Sequence, residues 1–429
     1  FPDSRYADEV SEYMVSLYVT GNDYSKALAS ISRIKSPSDK VLGAKQVVLF
    51  NLGVEAISNG KVSKAQDYFT QARALAKYDK ELDKHNSLWL GECAYRKGNF
   101  EQAAKYQNEF LKAVNSSDSN YALGYYNLGY SRFKQRNYEA ARNAFKKAIA
   151  SGSLSESLKN DANNRIGDTF YYSEDFNTAE SYYDKSSGDY SLYQKGIMLG
   201  LEKKYKAKVE KMQEVMDKYP SSPLVPMAML EQADAYVSLN SSKKAIAVYN
   251  ALIKKYPGNA YARKGMLNKA ITERNAKNEA SAIEAYKAVI SQYPTSEEAV
   301  IALEDLKLIY AERGELSKLS DFVASVKNAP KLDVNDMDRL AFEAAEKAYM
   351  ENNSNIEKMN GYLKSNPDGA YTANAKYYVA KYNFNKDRKT EALALLEELE
   401  KTSEDASFME DALAMKASIL SSQNKNKEA

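Results

Sequence analysis

Small residues recur along this chain at a fixed interval, each just after a short polar stretch. Ala27, Ala65, Ala103, Ala141 and Ala179 are 38 residues apart, and Gly53, Gly91, Gly129 and Gly167 keep the same step. Each glycine follows an aliphatic residue: Leu52, Leu90, Leu128 or Ile166. Between a glycine and its alanine lies a turn signal, Asn59-Gly60, Gly98-Asn99, Arg136-Asn137 or Glu174-Asp175. An apolar or aromatic residue then opens the second half, at Val62, Phe100, Tyr138 and Phe176. Each unit therefore predicts helix, short turn, helix. Antiparallel helices pack closely only where the side chains at their crossing are small. Glycine midway along the first helix and alanine early in the second are expected to provide that crossing. Phe69, Phe145, Tyr183, Tyr249 and Tyr286 are expected to fill the gaps to the next hairpin.

After Ala179 the step changes. The equivalent slot falls on Lys208, 29 residues on, then on Ala245, Ala282 and Leu319 at steps of 37. It continues near Asn355 or Ile356, then at Ala392 and Ala429. Pro220, Pro257 and Pro294 are 37 apart, and Pro330 and Pro367 follow at 36 and 37. Proline between hairpins stops one helix and starts the next. Two arrays are expected, residues 1–187 with the longer period and 188–429 with the shorter. A kink is expected near Ser187-Gly188, where Ser186–Asp189 serve at once as helix stop and N-cap. Pro2 precedes Ala27 by the 25 residues that separate Pro220 from Ala245, and Ala429 occupies a slot whose second helix is missing. The chain thus reads as a piece of a longer array.

The pattern resembles the tetratricopeptide repeat family, most closely in Tyr125-Tyr126-Asn127-Leu128-Gly129 with Asn137-Tyr138, Ala141, Phe145 and Ala148. The family unit is about 34 residues. Most units here are 36 to 38, and Lys208 and Asn355 depart from the small-residue slot. The resemblance implies an all-α fold, a right-handed α/α superhelix of about ten or eleven hairpins with partial repeats at both ends. It also implies that the first helices line an inner groove. The family's groove positions fall on Tyr95, Arg96, Tyr126, Tyr130, Phe133, Lys134, Tyr171, Tyr172, Tyr190 and Tyr193. Tyr126, Tyr130 and Phe133 share one stripe of a helix. Tyrosine joins a large contact area to a polar tip and is common at binding hot spots, although packing between hairpins competes for the same rings. Some relatives clamp a partner's terminal carboxylate with Lys and Asn. Leu88, Glu92, Tyr126 and Tyr130 stand at those positions here.

The function so implied is a non-enzymatic scaffold that holds a protein or peptide segment in its groove. The Tyr-Pro junctions with their following alanine-rich helices are similar to repeats of Gram-negative envelope proteins, namely outer-membrane assembly lipoproteins and the Tol-Pal-associated coordinator. A periplasmic or cell-envelope location is the expectation, with cytoplasm as the alternative. The rival function is carbohydrate or nutrient binding by exposed tyrosines.

Composition narrows this further. Glycine and proline number only 18 and 9 in 429 residues, which favours long helices over a turn-dense β fold. Tyrosine is abundant, 34 against 13 Phe and one Trp. Sixty Lys and Arg against 58 Asp and Glu give a net charge of +2 and no field to attract nucleic acid. The basic run Lys203–Lys211 is interrupted by Glu210 and reads as a solvated helix face. Cys93 is the only cysteine, so no internal disulfide is possible. With His85 the sole histidine, neither a zinc cluster nor a Ser-His-Asp set has its parts. No phosphate-binding glycine motif occurs. No catalytic residue, metal or cofactor is expected. No transmembrane segment is expected either, since no apolar run approaches the ~18 residues of a membrane span.

Overall fold

The computed structural model describes residues 6–353, 356–403 and 406–422. The expectations for Phe1–Ser4, Asn355 and Ala429 lie outside the described residues. Among the described residues all regular structure is helical, in twenty-three helices. They fall into two compact units, Phe1–Lys204 and Tyr205–Ala429.

In the first unit the helices are α1 (Ala7–Thr20), α2 (Tyr24–Ile31), α3 (Asp39–Ser58), α4 (Val62–Arg73), α5 (Lys80–Arg96) and α6 (Phe100–Ala113). There follow α7 (Tyr121–Lys134), α8 (Tyr138–Ala150), α9 (Glu156–Tyr171), α10 (Phe176–Tyr183) and α11 (Asp189–Leu201). The second halves begin at the predicted residues Val62, Phe100, Tyr138 and Phe176. The turns explain why. Asn22, Gly60, Gly98, Arg136 and Glu174 all adopt positive φ, between 58° and 78°, which reverses the chain. In four of the five the next residue is Asp or Asn, and the side chains of Asp23, Asn99, Asn137 and Asp175 accept a backbone N–H of the helix they open.

Ala27, Ala65, Ala103, Ala141 and Ala179 are fully buried, as the crossing requires. The rings behave differently from expectation. Phe69, Phe145 and Tyr183 do not merely fill gaps to the next hairpin; each lies over the glycine of its own. A Cβ on Gly53, Gly129 or Gly167 would come within 2.6 Å of the Phe69, Phe145 or Tyr183 ring respectively. The glycine thus makes room for a ring as well as for a backbone.

The short step after Ala179 is absorbed by a loop tied back to α9. Asn160 donates to Ser187 Oγ at 3.1 Å and accepts from Ser187 N at 3.3 Å, and Ser186 Oγ donates to the Asn160 carbonyl. Gly188, at φ 119°, caps α11. Met198 of α11 packs with Ala179 and Tyr183. The first unit runs through α11.

The helix α3, at 20 residues, is long and apolar enough to cross a membrane, contrary to the expectation that no run would qualify. Its apolar residues serve the core instead. Val41, Val48, Leu49, Leu52, Ala56 and Ile57 are buried against neighbouring helices.

The second unit comprises α12 (Tyr205–Lys218), α13 (Val225–Ser238), α14 (Ser242–Lys255), α15 (Ala260–Asn275), α16 (Glu279–Gln292) and α17 (Glu297–Arg313). It ends with α18 (Leu316–Ser325), α19 (Val334–Glu351), α20 (Glu357–Ser365), α21 (Thr372–Asn385), α22 (Lys389–Thr402) and α23 (Met409–Ser422). Ala245, Ala282, Leu319 and Ala392 fill the small-residue slot and are fully buried. Lys208, in the same slot, pairs with Glu231 of α13 at 2.5 Å. All five clock prolines lie between helices. Five hairpins lie whole within each unit, from α1/α2 to α9/α10 and from α13/α14 to α21/α22.

Candidate functional site

The predicted aromatics sit on α5, α7, α9 and α11, the first helices of the first unit. The phenols of Tyr126, Tyr130 and Tyr190 join a charged network that the aromatic pattern alone does not reveal. Tyr126 and Tyr130 both donate to Asp161 Oδ2, at 2.8 and 2.5 Å. One turn along α9, Arg165 lies between two carboxylates. Its Nε is 3.5 Å from Asp161 and its Nη1 is 2.5 Å from Asp168. Asp168 also accepts the hydroxyls of Tyr183 and Tyr190, each at 2.9 Å. Gln194 Nε2 donates to Tyr190 Oη at 2.8 Å, and the Arg165 guanidinium lies 4.4 Å from the Tyr190 ring centre.

Burial sets the electrostatics. The Asp168 side chain is only 3% exposed, and desolvation pushes its carboxyl up against the opposing pull of Arg165 and the two phenols. Burial also works against the charge on Arg165, but Asp168 and its neighbours outweigh it and hold the guanidinium protonated. The Tyr190 hydroxyl is pushed up to about 12 by burial and then by Asp168. Tyr126 and Tyr130 rise for the same reason, burial first and the bond to Asp161 second. The network is thus a set of phenols that donate to two carboxylates of one helix, bridged by Arg165.

A run of rings follows the hairpin-turn end of the same helices. Tyr95 meets Phe100 at 5.4 Å and Tyr130 at 6.3 Å between ring centres. Phe133 meets Tyr138 at 5.7 Å and Tyr172 at 6.0 Å. Tyr172 stacks on Tyr138 at 5.3 Å and 9°, and Tyr171 meets Phe176 at 5.8 Å. Tyr172 is 57% exposed and Phe176 37%.

The predicted residues thus divide by environment. Tyr126, Tyr130 and Tyr190 are half-buried members of the network. Tyr193 is buried at 6% exposure and offers no ring face to a partner. Tyr95, Phe133 and Tyr171 are half-buried in the ring run, and Tyr172 stands out from it. Arg96 is exposed, pairing with Glu92 at 2.6 Å and reaching the Ile57 carbonyl at 3.2 Å. Lys134 is exposed beside the turn. Asp161, Arg165, Asp168 and Tyr138 were not foreseen from the aromatics. The positional rule that selects Tyr126 and Tyr130 on α7 selects Asp161 and Asp168 on α9, so weighing acids alongside rings would have found them.

The remaining reactive groups do not assemble. Cys93 is fully buried and its thiol is pushed up to about 11 by burial, so it stays protonated at neutral pH. His85 Nε2 lies 3.6 Å from Asp118. Among the described residues no group of three His, Cys, Asp or Glu side chains could hold a metal ion.

Hairpins stacked in register, with small residues at each crossing and a polar-aromatic face on the first helices, define an α/α repeat solenoid. The family model for the tetratricopeptide repeat matches residues 50–118, 126–190, 210–260 and 230–297, together more than half of the chain. The chain belongs to the tetratricopeptide repeat family. Several solved structures are similar to part of the chain. The C-terminal part of a repeat protein from Cytophaga hutchinsonii shows 18% identity and a TM-score of 0.48, over 59% of this chain and 98% of that one. A repeat protein from Parabacteroides merdae shows 13% and 0.45, over 61% and 98%. A signal-transduction ATPase with a tetratricopeptide repeat sensor, from Pyrococcus horikoshii, shows 14% and 0.52, over 70% and 54%. No curated protein matches the chain in sequence. Its repeats are those of a protein–protein interaction scaffold.

Proposed function

We propose that the first-helix face of the first unit holds a segment of a partner protein. The observation that carries this reading is a pair of ring groups: Tyr95, Phe100 and Tyr130, joined through Tyr130 to the lattice around Arg165, and Phe133, Tyr138, Tyr171, Tyr172 and Phe176, which includes the exposed Tyr172. Rigid aromatic anchors on a pre-organised base give contact area at low entropic cost. We infer a non-catalytic role, supported by the inert Cys93 and the single histidine. An envelope location is proposed on the Tyr-Pro junctions, and fractionation of cells expressing the full reading frame tests it.

A photo-crosslinking residue at position 172 tests the binding reading in living cells. One stoichiometric partner is expected, and Tyr138→Ala is expected to abolish it. An equal yield from a second-helix position such as Lys105 would overturn it. The exposed Tyr172 ring also keeps the carbohydrate reading in view. An oligosaccharide that raises Tm, an effect lost on Tyr172→Ala, would favour that reading.

A further inference from the structure

A different surface, in the second unit, is built for another kind of contact. On α17, Ala299, Ala302, Leu303, Leu306, Ile309 and Tyr310 are buried in the core, so the opposite stripe needs no apolar residue. It carries three: Val300, Ile301 and Leu308, exposed at 49, 48 and 43%. Ile301, Glu304, Leu308 and Glu312 follow i, i+3, i+7, i+11, one stripe of a helix. The neighbouring first helix α19 presents Glu343, Lys347 and Met350 at i, i+4 and i+7, with Met350 64% exposed. Lys347 reaches Glu312 at 3.9 Å, so the two stripes lie side by side.

The charge on this face is one-sided. Glu297, Glu304, Glu312, Glu343 and Glu351 are exposed and Asp336 is half-buried on these two helices, against Lys307, Arg339 and Lys347, and Lys358 of α20 donates to the Glu312 carbonyl at 2.6 Å. The cations are committed. Lys307 lies 2.5 Å from Asp336 and 2.7 Å from Glu304, and Arg339 lies 2.5 Å from Asp336 and 2.8 Å from Glu343. With Lys358 counted among the cations, two carboxylates remain in excess, in a chain whose net charge is +2. Aliphatic residues flanked by an acidic surplus complement a helix with an aliphatic stripe flanked by Lys or Arg.

We propose that the α17–α19 face docks a basic amphipathic helix of a partner protein. The proposal shares with the section above only the scaffold reading, and it uses different residues. The test titrates the full chain with a synthetic Leu/Lys amphipathic helix of about four turns, long enough to be helical on binding, and with its Leu/Glu counterpart. Fluorescence anisotropy is read at low and high salt. The Leu/Lys peptide is expected to bind and to weaken as salt rises, and the Leu/Glu peptide not to bind. Ile301→Ser with Leu308→Ser, and separately Glu304→Lys with Glu312→Lys, are each expected to weaken binding at least tenfold. These positions are exposed, so an unchanged melting curve confirms that the variants fold. Tyr172→Ala is expected to leave this binding intact, which separates failure here from failure of the first-unit groove. Equal binding of the two peptides, or affinity unmoved by either pair of substitutions, would overturn the proposal. So would sedimentation showing that the face is covered by a second copy of the chain.

Discussion

The abundance of tyrosine has a local cause that follows the register of the repeat. Phe69, Phe145, Tyr183, Tyr249 and Tyr286 occupy one buried slot, yet two are Phe and three are Tyr. Fifteen residues before Tyr183 and Tyr249 stand Asp168 and Asp234, and both accept the phenol. Fifteen before Phe69 and Phe145 stand Val54 and Tyr130, which offer no carboxylate. Tyr286 takes its acceptor from the next hairpin, donating to Asp305 at 2.6 Å. The hydroxyl is thus kept where a buried acid needs a donor. Tyr183→Phe leaves the ring in place over Gly167 but removes one donor from Asp168. The expected cost is about 1–3 kcal/mol, the penalty for an under-satisfied buried acceptor, read as a lower urea midpoint. Asp168→Asn combined with Tyr183→Phe is expected to cost less than the two single changes together, because they share one bond. Strict additivity would show that the bond contributes nothing.

At the level of the hairpin, much was legible in the sequence because local rules agree. The turn needs a positive-φ residue and then a cap, and Gly98-Asn99, Arg136-Asn137 and Glu174-Asp175 spell that out. The alanine slot was legible because a methyl recurs at the close crossing of most hairpins, with Lys208 and Leu319 as the exceptions. What lies over the glycines was not. Spacing shows that Gly129 recurs, but only the three-dimensional crossing shows Phe145 resting on it. The site shows the same limit. The family rule identifies a helix face, yet Tyr172 and Tyr193, on equivalent helices, end 57% and 6% exposed. That difference depends on neighbours from other hairpins. The span-like composition of α3 went unforeseen for a related reason, since a helix with neighbours on several sides is apolar over much of its surface. Gly129→Ala tests the ring-over-glycine contact. The new methyl would sit 2.6 Å from the Phe145 ring, and overpacking of this kind costs about 1–3 kcal/mol. Phe145→Leu in the same chain is expected to recover part of that loss. A Gly129→Ala protein as stable as the parent would show that the crossing has slack.

Over the whole molecule, the same phenol–acid chemistry recurs in both units and predicts how the fold responds to alkali. Tyr126, Tyr130, Tyr183 and Tyr190 in the first unit, and Tyr249, Tyr286, Tyr362 and Tyr378 in the second, all have hydroxyls raised above their ordinary value of 10.0, with burial the largest cause in each. The sign follows directly. An acid raised by folding holds its proton more tightly in the folded chain than in the unfolded one. Its contribution is therefore complete below the unfolded value and is lost as pH rises through the folded one. For Tyr190, raised to about 12, that loss runs from its ordinary value of 10.0 up to about 12. Neither unit is exempt, because each buries phenols against carboxylates that become harder to leave unpaired as the phenols ionise. The phenolate absorbance of the buried rings is expected to appear as a step that coincides with the loss of helical circular dichroism. A smooth rise of that absorbance with the helices intact would mean that these hydroxyls reach water without unfolding. The lattice around Arg165 would then be open enough for a partner to enter it, and not the stiff base that the proposed groove requires.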